Sequence, residues 1–378
     1  MNEEISIKEL SRKKLAIPKR VLLGPGPSLA DPRVLEAMSL PLVGHLDPFF
    51  VKLMDETQEL LRYVFCTSNK LTIPISGTGS AAMEASIANT VEPGDSVLIC
   101  INGYFGERLA EMAKRYGGNV YIIRKKWGEV FSPEEVKLAL EEKPVKIVGL
   151  VHAETSTGAL QPLEEITKIV HNHGALLIVD AVTSLGGIPI LVDDIGIDVC
   201  YSGTQKCLSC PPGLGPITFG PKAIDKLQNR KLPVTSWYLD LSLVHKYWGG
   251  ERTYHHTAPI SSIYALYEGL RIIAEEGLEN RWIRHQKTAE LFWEGLEQIG
   301  LECHVDYKNR LPSLTTIKVP EGVDELSVRQ RLLNEYFIEI AGGLGELKGK
   351  VWRVGFMGYS SNEENVYLLL EALKTILK

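Results

Sequence analysis

The chain has 378 residues, of which 44% are hydrophobic and 23% charged, with 41 basic against 47 acidic side chains and a net charge of −6. That length suits two domains, or one large domain with an appendage, and needs neither disulfides nor a metal to hold its core. The mildly acidic balance argues against a general nucleic-acid binder, and the ordinary glycine, proline and aromatic content excludes collagen-like, low-complexity and disordered classes. The first 18 residues are polar and end at Ile17-Pro18. They read as an arm with no apolar secretory core and a poor mitochondrial presequence, which makes a cytoplasmic location the expectation. No run of about 20 apolar residues predicts a membrane span. Val21–Leu23 is a short apolar run stopped by Gly24-Pro25-Gly26-Pro27. Asp31-Pro32 opens a short capped helix, and Phe50, Leu53, Met54, Leu60, Leu61 and Val64 recur at helical spacing.

From residue 70 short β-branched runs alternate with amphipathic stretches. The runs are Leu71–Ile75, Ser96–Ile101, Asn119–Ile123, Val145–Val151, Ala175–Val179, Val199–Ser202 and Gly215–Phe219. Helices are expected to begin near Ser80, Gly106, Ser132, Leu163 and Gly186. This alternation predicts an α/β fold with a mainly parallel sheet covered on both faces, whose ligands sit beyond the carboxyl ends of the strands. After Ser262, helices are expected over Leu266–Glu276, Arg281–Ile299, Leu326–Glu335 and Glu363–Leu377, and strands over Leu314–Val319, Phe337–Ala341 and Val351–Phe356. The expected division is an arm (1–18), a large domain (19–275) and a smaller C-terminal α/β domain (276–378).

The chemistry concentrates at the strand ends. Asp180 closes one apolar run, and Gln205-Lys206 follows another. A buried acid and a buried lysine are each costly unless partnered. They suit an ordinary ion pair, or an aldehyde cofactor held by the lysine as a Schiff base with its protonated pyridine nitrogen on the aspartate. The Gly-rich turn Ser76-Gly77-Thr78-Gly79-Ser80, feeding a good helix, decides for the cofactor. Its N–H groups and hydroxyls suit a phosphate, and it is neither a P-loop nor a dinucleotide fingerprint. A phosphate cradle, an acid and a strand-end lysine together are what pyridoxal phosphate requires. Cys207 and Cys210 have C-x-x-C spacing, but no second pair or nearby histidine pair completes a zinc set, and they read as reduced thiols.

The motifs GHLDP, SGTGSAAMEA, NGYFGERL, HAETSTG, VDAVTSLGG, SGTQKCL, YHHTAP and GGLGELKGKVWRVG occur in this order. With them the chain resembles the class V aminotransferases of fold type I, near the alanine–glyoxylate and serine–pyruvate group. The resemblance implies a homodimer with shared active sites and pyridoxal 5′-phosphate on Lys206, with Asp180 beneath the pyridine nitrogen. It implies that Thr78, Gly79, Ser80 and Gln205 hold the phosphate, that Tyr254 and Thr257 reach the phosphate of the neighbouring subunit, and that Thr155 bonds near the phenolic oxygen or the substrate. Arg353 would clamp the substrate α-carboxylate. Phe105 would stack on the ring, where relatives can carry tryptophan. Gly26, in the Pro-Gly run laid over the site, and His45 would border the substrate. The implied reaction moves an amino group from alanine or serine to glyoxylate or pyruvate by a ping-pong mechanism. Ureidoglycine and 3-hydroxykynurenine remain alternative donors. A pyridoxal-phosphate lyase on the same fold is the alternative reaction; a desulfurase would need a mobile cysteine, and neither Cys207 nor Cys210 suits that role. His152 reads as a hydrogen-bonded structural histidine, and His255 and His256, which no acid or cysteine completes into a metal set, as packing at the subunit interface.

Overall fold

The computed structural model describes residues 7–378. Residues 1–6 of the expected arm lie outside the described residues. The rest of the arm carries one short helix, Ile7–Arg12, and Leu15 and Ile17 are largely exposed.

Seven strands form the main sheet: β1 (Leu71–Ser76), β2 (Ser96–Ile101), β3 (Asn119–Arg124), β4 (Ile147–Val151), β5 (Leu176–Asp180), β6 (Val199–Tyr201) and β7 (Leu214–Phe219). Their order in space is β1-β7-β6-β5-β4-β2-β3. β2 to β6 pair in parallel, whereas β7 runs antiparallel to both β1 and β6. β1 and β6 therefore run the same way, and every strand except β7 ends at one edge of the sheet. That edge receives the Gly-rich turn after β1, the Asn102–Phe105 segment after β2, His152–Thr155 after β4, Asp180 at the end of β5 and Gln205-Lys206 after β6. Apart from the edge strand β3, which is only half-buried, the strands are almost wholly buried, which is why the sequence shows continuous apolar runs rather than alternation.

Helix α1 (Gly79–Thr90) follows β1, and α2 (Tyr104–Arg115) follows β2. The helix Pro48–Phe65 starts at the N-cap Asp47, whose side chain accepts from the Phe49 N–H; such a cap contributes about 1 kcal/mol. No helix starts near Gly186. Gly186 itself has φ +82°, and residues 181–188 wind through successive turns before the four-residue helix Val192–Ile195. Gly186, Gly187 and Pro189 break the helical pattern that the apolar spacing suggested.

Toward the C-terminus, β8 (Leu314–Lys318), β9 (Ala341–Gly342) and β10 (Val351–Gly355) form a three-stranded sheet with β10 in the middle. The expected strand Phe337–Ala341 divides in two. Ile338–Glu339 pairs in parallel with Val21–Leu22, and only Ala341–Gly342 joins β10. One hydrophobic cluster gathers residues from Val34 to Leu278, and a second joins Leu23 to residues from Ala289 to Leu373. Leu23 thus enters the C-terminal cluster, with its N–H on Glu339 O and its carbonyl on Gly355 N. The Gly-Pro run that follows leaves this anchor and crosses to the sheet edge.

Candidate active site

Lys206 is buried after β6, and its Nζ donates to the Pro25 carbonyl. The Gly-Pro run is pinned there by the Ser28 N–H on Gln205 O (2.8 Å) and the Ser28 hydroxyl on Lys206 O (2.7 Å). Gly26 has φ +113°, and a Cβ on it would stand 2.5 Å from Lys206 Nζ. Only glycine permits the run to lie this close. Burial and the charge of Arg353 push the Lys206 pKa down to about 8. A neutral, nucleophilic amine is therefore accessible near physiological pH.

Asp180 is also buried. Its two oxygens accept from the Val182 N–H and the Tyr201 hydroxyl, each at 2.9 Å. Among the described residues no cationic side chain lies within salt-bridge distance of it, Lys206 included. The ordinary ion pair that the sequence allowed is not formed. Burial pushes the Asp180 pKa up to about 6 against the help of those two donors. A cationic N–H group beside this carboxylate would remove that cost.

The end of β1 builds the cradle. Gly77 has φ +155° and a Cβ there would meet the Ala81 Cβ at 2.6 Å, so the turn requires glycine. Thr78 is the N-cap of α1, but its hydroxyl makes no capping bond. The N–H groups of Gly79 and Ser80 begin the helix, where no intrahelical acceptor exists. Gln205 Oε1 is buried without a hydrogen-bond partner among the described residues, and Ser80 Oγ receives Arg108 Nη1 at 3.0 Å. The guanidinium of Arg108 also lies 5.0 Å from the Phe105 ring centroid. Sequence reading missed Arg108. Its signal was its place one turn after Phe105 in NGYFGERL, on the same face of α2.

Arg353 sits on the middle strand of the small sheet, not on an edge. Its Nε donates to Gly342 O (2.8 Å) and Nη1 to Thr155 O (3.3 Å). It is buried, and burial pushes its pKa down to about 10 while Glu154 opposes that shift. Two carbonyls do not neutralise a guanidinium, and among the described residues no carboxylate forms a salt bridge with it. Thr155 Oγ1 bonds the Thr183 hydroxyl, so Thr155 ties the loop after β4 to the one after β5 while its carbonyl holds Arg353.

Lys206, Asp180, Gln205, Gly26, Thr155 and Arg353 thus lie in one connected region, with Thr78, Gly79, Ser80 and Phe105 joined to it through Arg108 and the sheet edge. His45, Tyr254 and Thr257 form a separate group. The His45 ring lies 5.2 Å from that of Tyr254, whose hydroxyl is 3.5 Å from Thr257 Oγ1, and both Tyr254 and Thr257 are exposed. This group returns to the cradle through His256, whose Nε2 is 2.7 Å from Ser76 Oγ. His255 stacks on Trp237, and His152 Nδ1 meets Ser184 Oγ at 2.9 Å. Cys207 and Cys210 are fully buried, and burial pushes their pKa values up to about 11 and about 12. A reactive thiolate is disfavoured at both.

A sheet edge with a buried lysine, a buried acid and a helix-borne anion cradle defines a fold type I pyridoxal-phosphate enzyme. The Aminotransferase class-V family model matches residues 21–368, and the chain belongs to that family. It is 44% identical to the alanine–glyoxylate aminotransferase of Rattus norvegicus, over 98% of this chain and 90% of that one. It is 43% identical to the (S)-ureidoglycine–glyoxylate transaminase of Bacillus subtilis, over 97% and 92%. The crystal structure of an alanine–glyoxylate aminotransferase from Nostoc sp. superposes with a TM-score of 0.96 at 58% identity, covering 99% of this chain and all of that one. Pyridoxal phosphate is the cofactor of the class. Among the described residues Gln205 Oε1 has no hydrogen-bond partner and neither Asp180 nor Lys206 forms a salt bridge, and all three fit it. No described helix is long and apolar enough to cross a membrane.

Proposed function

We propose that the chain transfers an amino group from a small amino acid, alanine or serine, to glyoxylate or pyruvate, in two half-reactions at one site. The observation that carries this reading is Arg353. It is a buried, unneutralised guanidinium held on a central strand and tied through Thr155 to the region of Lys206. A planar fork fixed in this way suits the α-carboxylate that all these substrates share. The Gly-Pro run stapled across Lys206 leaves little room beside it and favours short side chains.

Bound pyridoxal phosphate supplies an electron sink for negative charge at a substrate α-carbon. Lys206 would hold it through Nζ, and Asp180 would face its ring nitrogen. Thr78, Gly79, Ser80 and Gln205 would take its phosphate, with Arg108 supporting Ser80, and Phe105 would cover its ring. Lys206 Nζ, whose proton burial and Arg353 make easier to lose, would in its neutral form take the α-proton of the amino donor. In the return half it would deliver a proton to the α-carbon of the new amino acid. The group of exposed Tyr254 and Thr257 with half-buried His45 suits a homodimer in which it completes the site of the second subunit. A division near residue 275 between large and small domains fits the two hydrophobic clusters, with Leu23 added to the second. The 43% identity to a ureidoglycine–glyoxylate transaminase keeps that donor as the second reading.

The test is half-reaction kinetics followed by the cofactor spectrum. Arg353→Lys keeps a charge but loses the fork. It should weaken the apparent affinity for both alanine and glyoxylate by about tenfold or more, with cofactor content unchanged. Weakening of one half-reaction only would place the other carboxylate elsewhere. A panel of alanine, serine and ureidoglycine against glyoxylate separates the donors.

A further inference from the structure

The loop after β4 carries a carboxylate outside the cofactor and clamp roles set out above. Glu154 is fully buried, and each of its neighbours in hydrogen-bond reach is a donor. Oε1 accepts from the Ser156 N–H (3.0 Å) and the Ser156 hydroxyl (2.6 Å). Oε2 accepts from the N–H groups of Phe105 (3.2 Å) and Gly106 (3.4 Å). Ser156 Oγ in turn accepts from the Tyr104 N–H (2.9 Å). The first three N–H groups of α2 are therefore satisfied from another loop.

The reason lies at Gly103, the N-cap of α2. It offers no side chain, and a Cβ there would stand 2.3 Å from Glu154 Cγ and 2.6 Å from Ser156 Oγ. The usual capping side chain is excluded because Glu154 occupies its place. An ionised carboxylate at a helix N-terminus is favoured by the helix dipole. Burial, with the Asp180 carboxylate adding to it, pushes the Glu154 pKa up to about 7 against the bonds from Ser156 and Gly106, so ionising it carries a cost that a local cap in water would not.

We propose that Glu154 is the positioning residue for Phe105: by capping α2 from the loop after β4, it sets the place and tilt of the ring that covers the cofactor. Phe105 is the second residue of α2 and one of the two residues whose N–H groups bond Oε2. The same loop bonds Arg353 through Thr155 O, so the ring cover and the carboxylate clamp take their positions from adjacent residues of one loop. The proposal rests on the reading of Phe105 as the stacking residue.

The experiment titrates apo protein with pyridoxal phosphate and reads the dissociation constant and the induced circular dichroism of the cofactor band, neither of which needs turnover. Glu154→Gln keeps the size but replaces one acceptor oxygen with a donor facing N–H groups. It should weaken cofactor binding about tenfold and diminish the dichroic band. Phe105→Ala should weaken binding by up to about tenfold. In the Phe105→Ala background, Glu154→Gln should then cost less than about threefold. An equal cost in both backgrounds would show that Glu154 acts on the site generally and overturn the proposal. So would a silent Glu154→Gln beside a responsive Phe105→Ala, which leaves the stacking reading intact. A silent Phe105→Ala would remove the stacking reading and the proposal with it. Should Glu154→Gln not yield folded protein, Ser156→Ala is judged by the same criterion, with a cost of about threefold confined to the Phe105 background.

Discussion

Lys206→Ala is expected to lower transamination by about three orders of magnitude or more and to abolish reductive trapping of the cofactor on the protein. The amine is doubly committed. It would hold the cofactor at rest and move the α-proton in turnover, so alanine removes both functions while leaving the cradle in place. Among the described residues the buried side chain forms no salt bridge, and its one bond is to the Pro25 carbonyl. Its loss should therefore cost little stability. Borohydride reduction of wild-type protein followed by peptide mapping checks the assignment, and a reduced cofactor on another lysine would overturn it. The depressed pKa gives a second signature. Burial and Arg353 favour the neutral amine, so Lys206 loses its proton as pH rises through about 8, well below an ordinary lysine. The rate of cofactor incorporation into apo protein should rise about tenfold per pH unit below that value and flatten above it. A rate still climbing steeply beyond pH 9 would mean that an unshifted lysine reacts.

How far the sequence reaches depends on the range of the interactions. The buried strands were legible because a parallel sheet covered on both faces leaves continuous β-branched runs, as in Ser96–Ile101. Lys206 and Asp180 were legible because ionisable groups at the ends of such runs are costly without a partner. The pairing of Val21–Leu22 with Ile338–Glu339 was not, since two-residue strands more than 300 residues apart carry no periodic signal. The turn at Gly186 was misread because apolar spacing outweighed two glycines and a proline. Glu154 stayed hidden for a different reason. It sits among polar loop residues and serves a helix whose own N-cap is glycine, so neither end of the bond announces it locally.

Asp180→Asn is expected to keep the cofactor on Lys206 but to slow both half-reactions by tens of fold or more. Asn preserves the shape and one acceptor for the Val182 N–H or the Tyr201 hydroxyl, so the fold at the end of β5 should persist. What disappears is the negative charge. Burial makes that charge costly, pushing the acid's pKa up to about 6. The same low-dielectric setting makes it effective toward a cationic ring nitrogen, because water does not screen the pair. With the charge gone the ring nitrogen has no reason to stay protonated, and the electron sink weakens; each tenfold in rate corresponds to about 1.4 kcal/mol of lost transition-state stabilisation. Single-turnover measurements with alanine and with glyoxylate, alongside cofactor content, separate this from poor loading. Tyr201→Phe, which removes one neutral donor and leaves the charge, should slow turnover far less. Comparable losses in the two variants would mean that hydrogen bonding, not charge, is what Asp180 contributes.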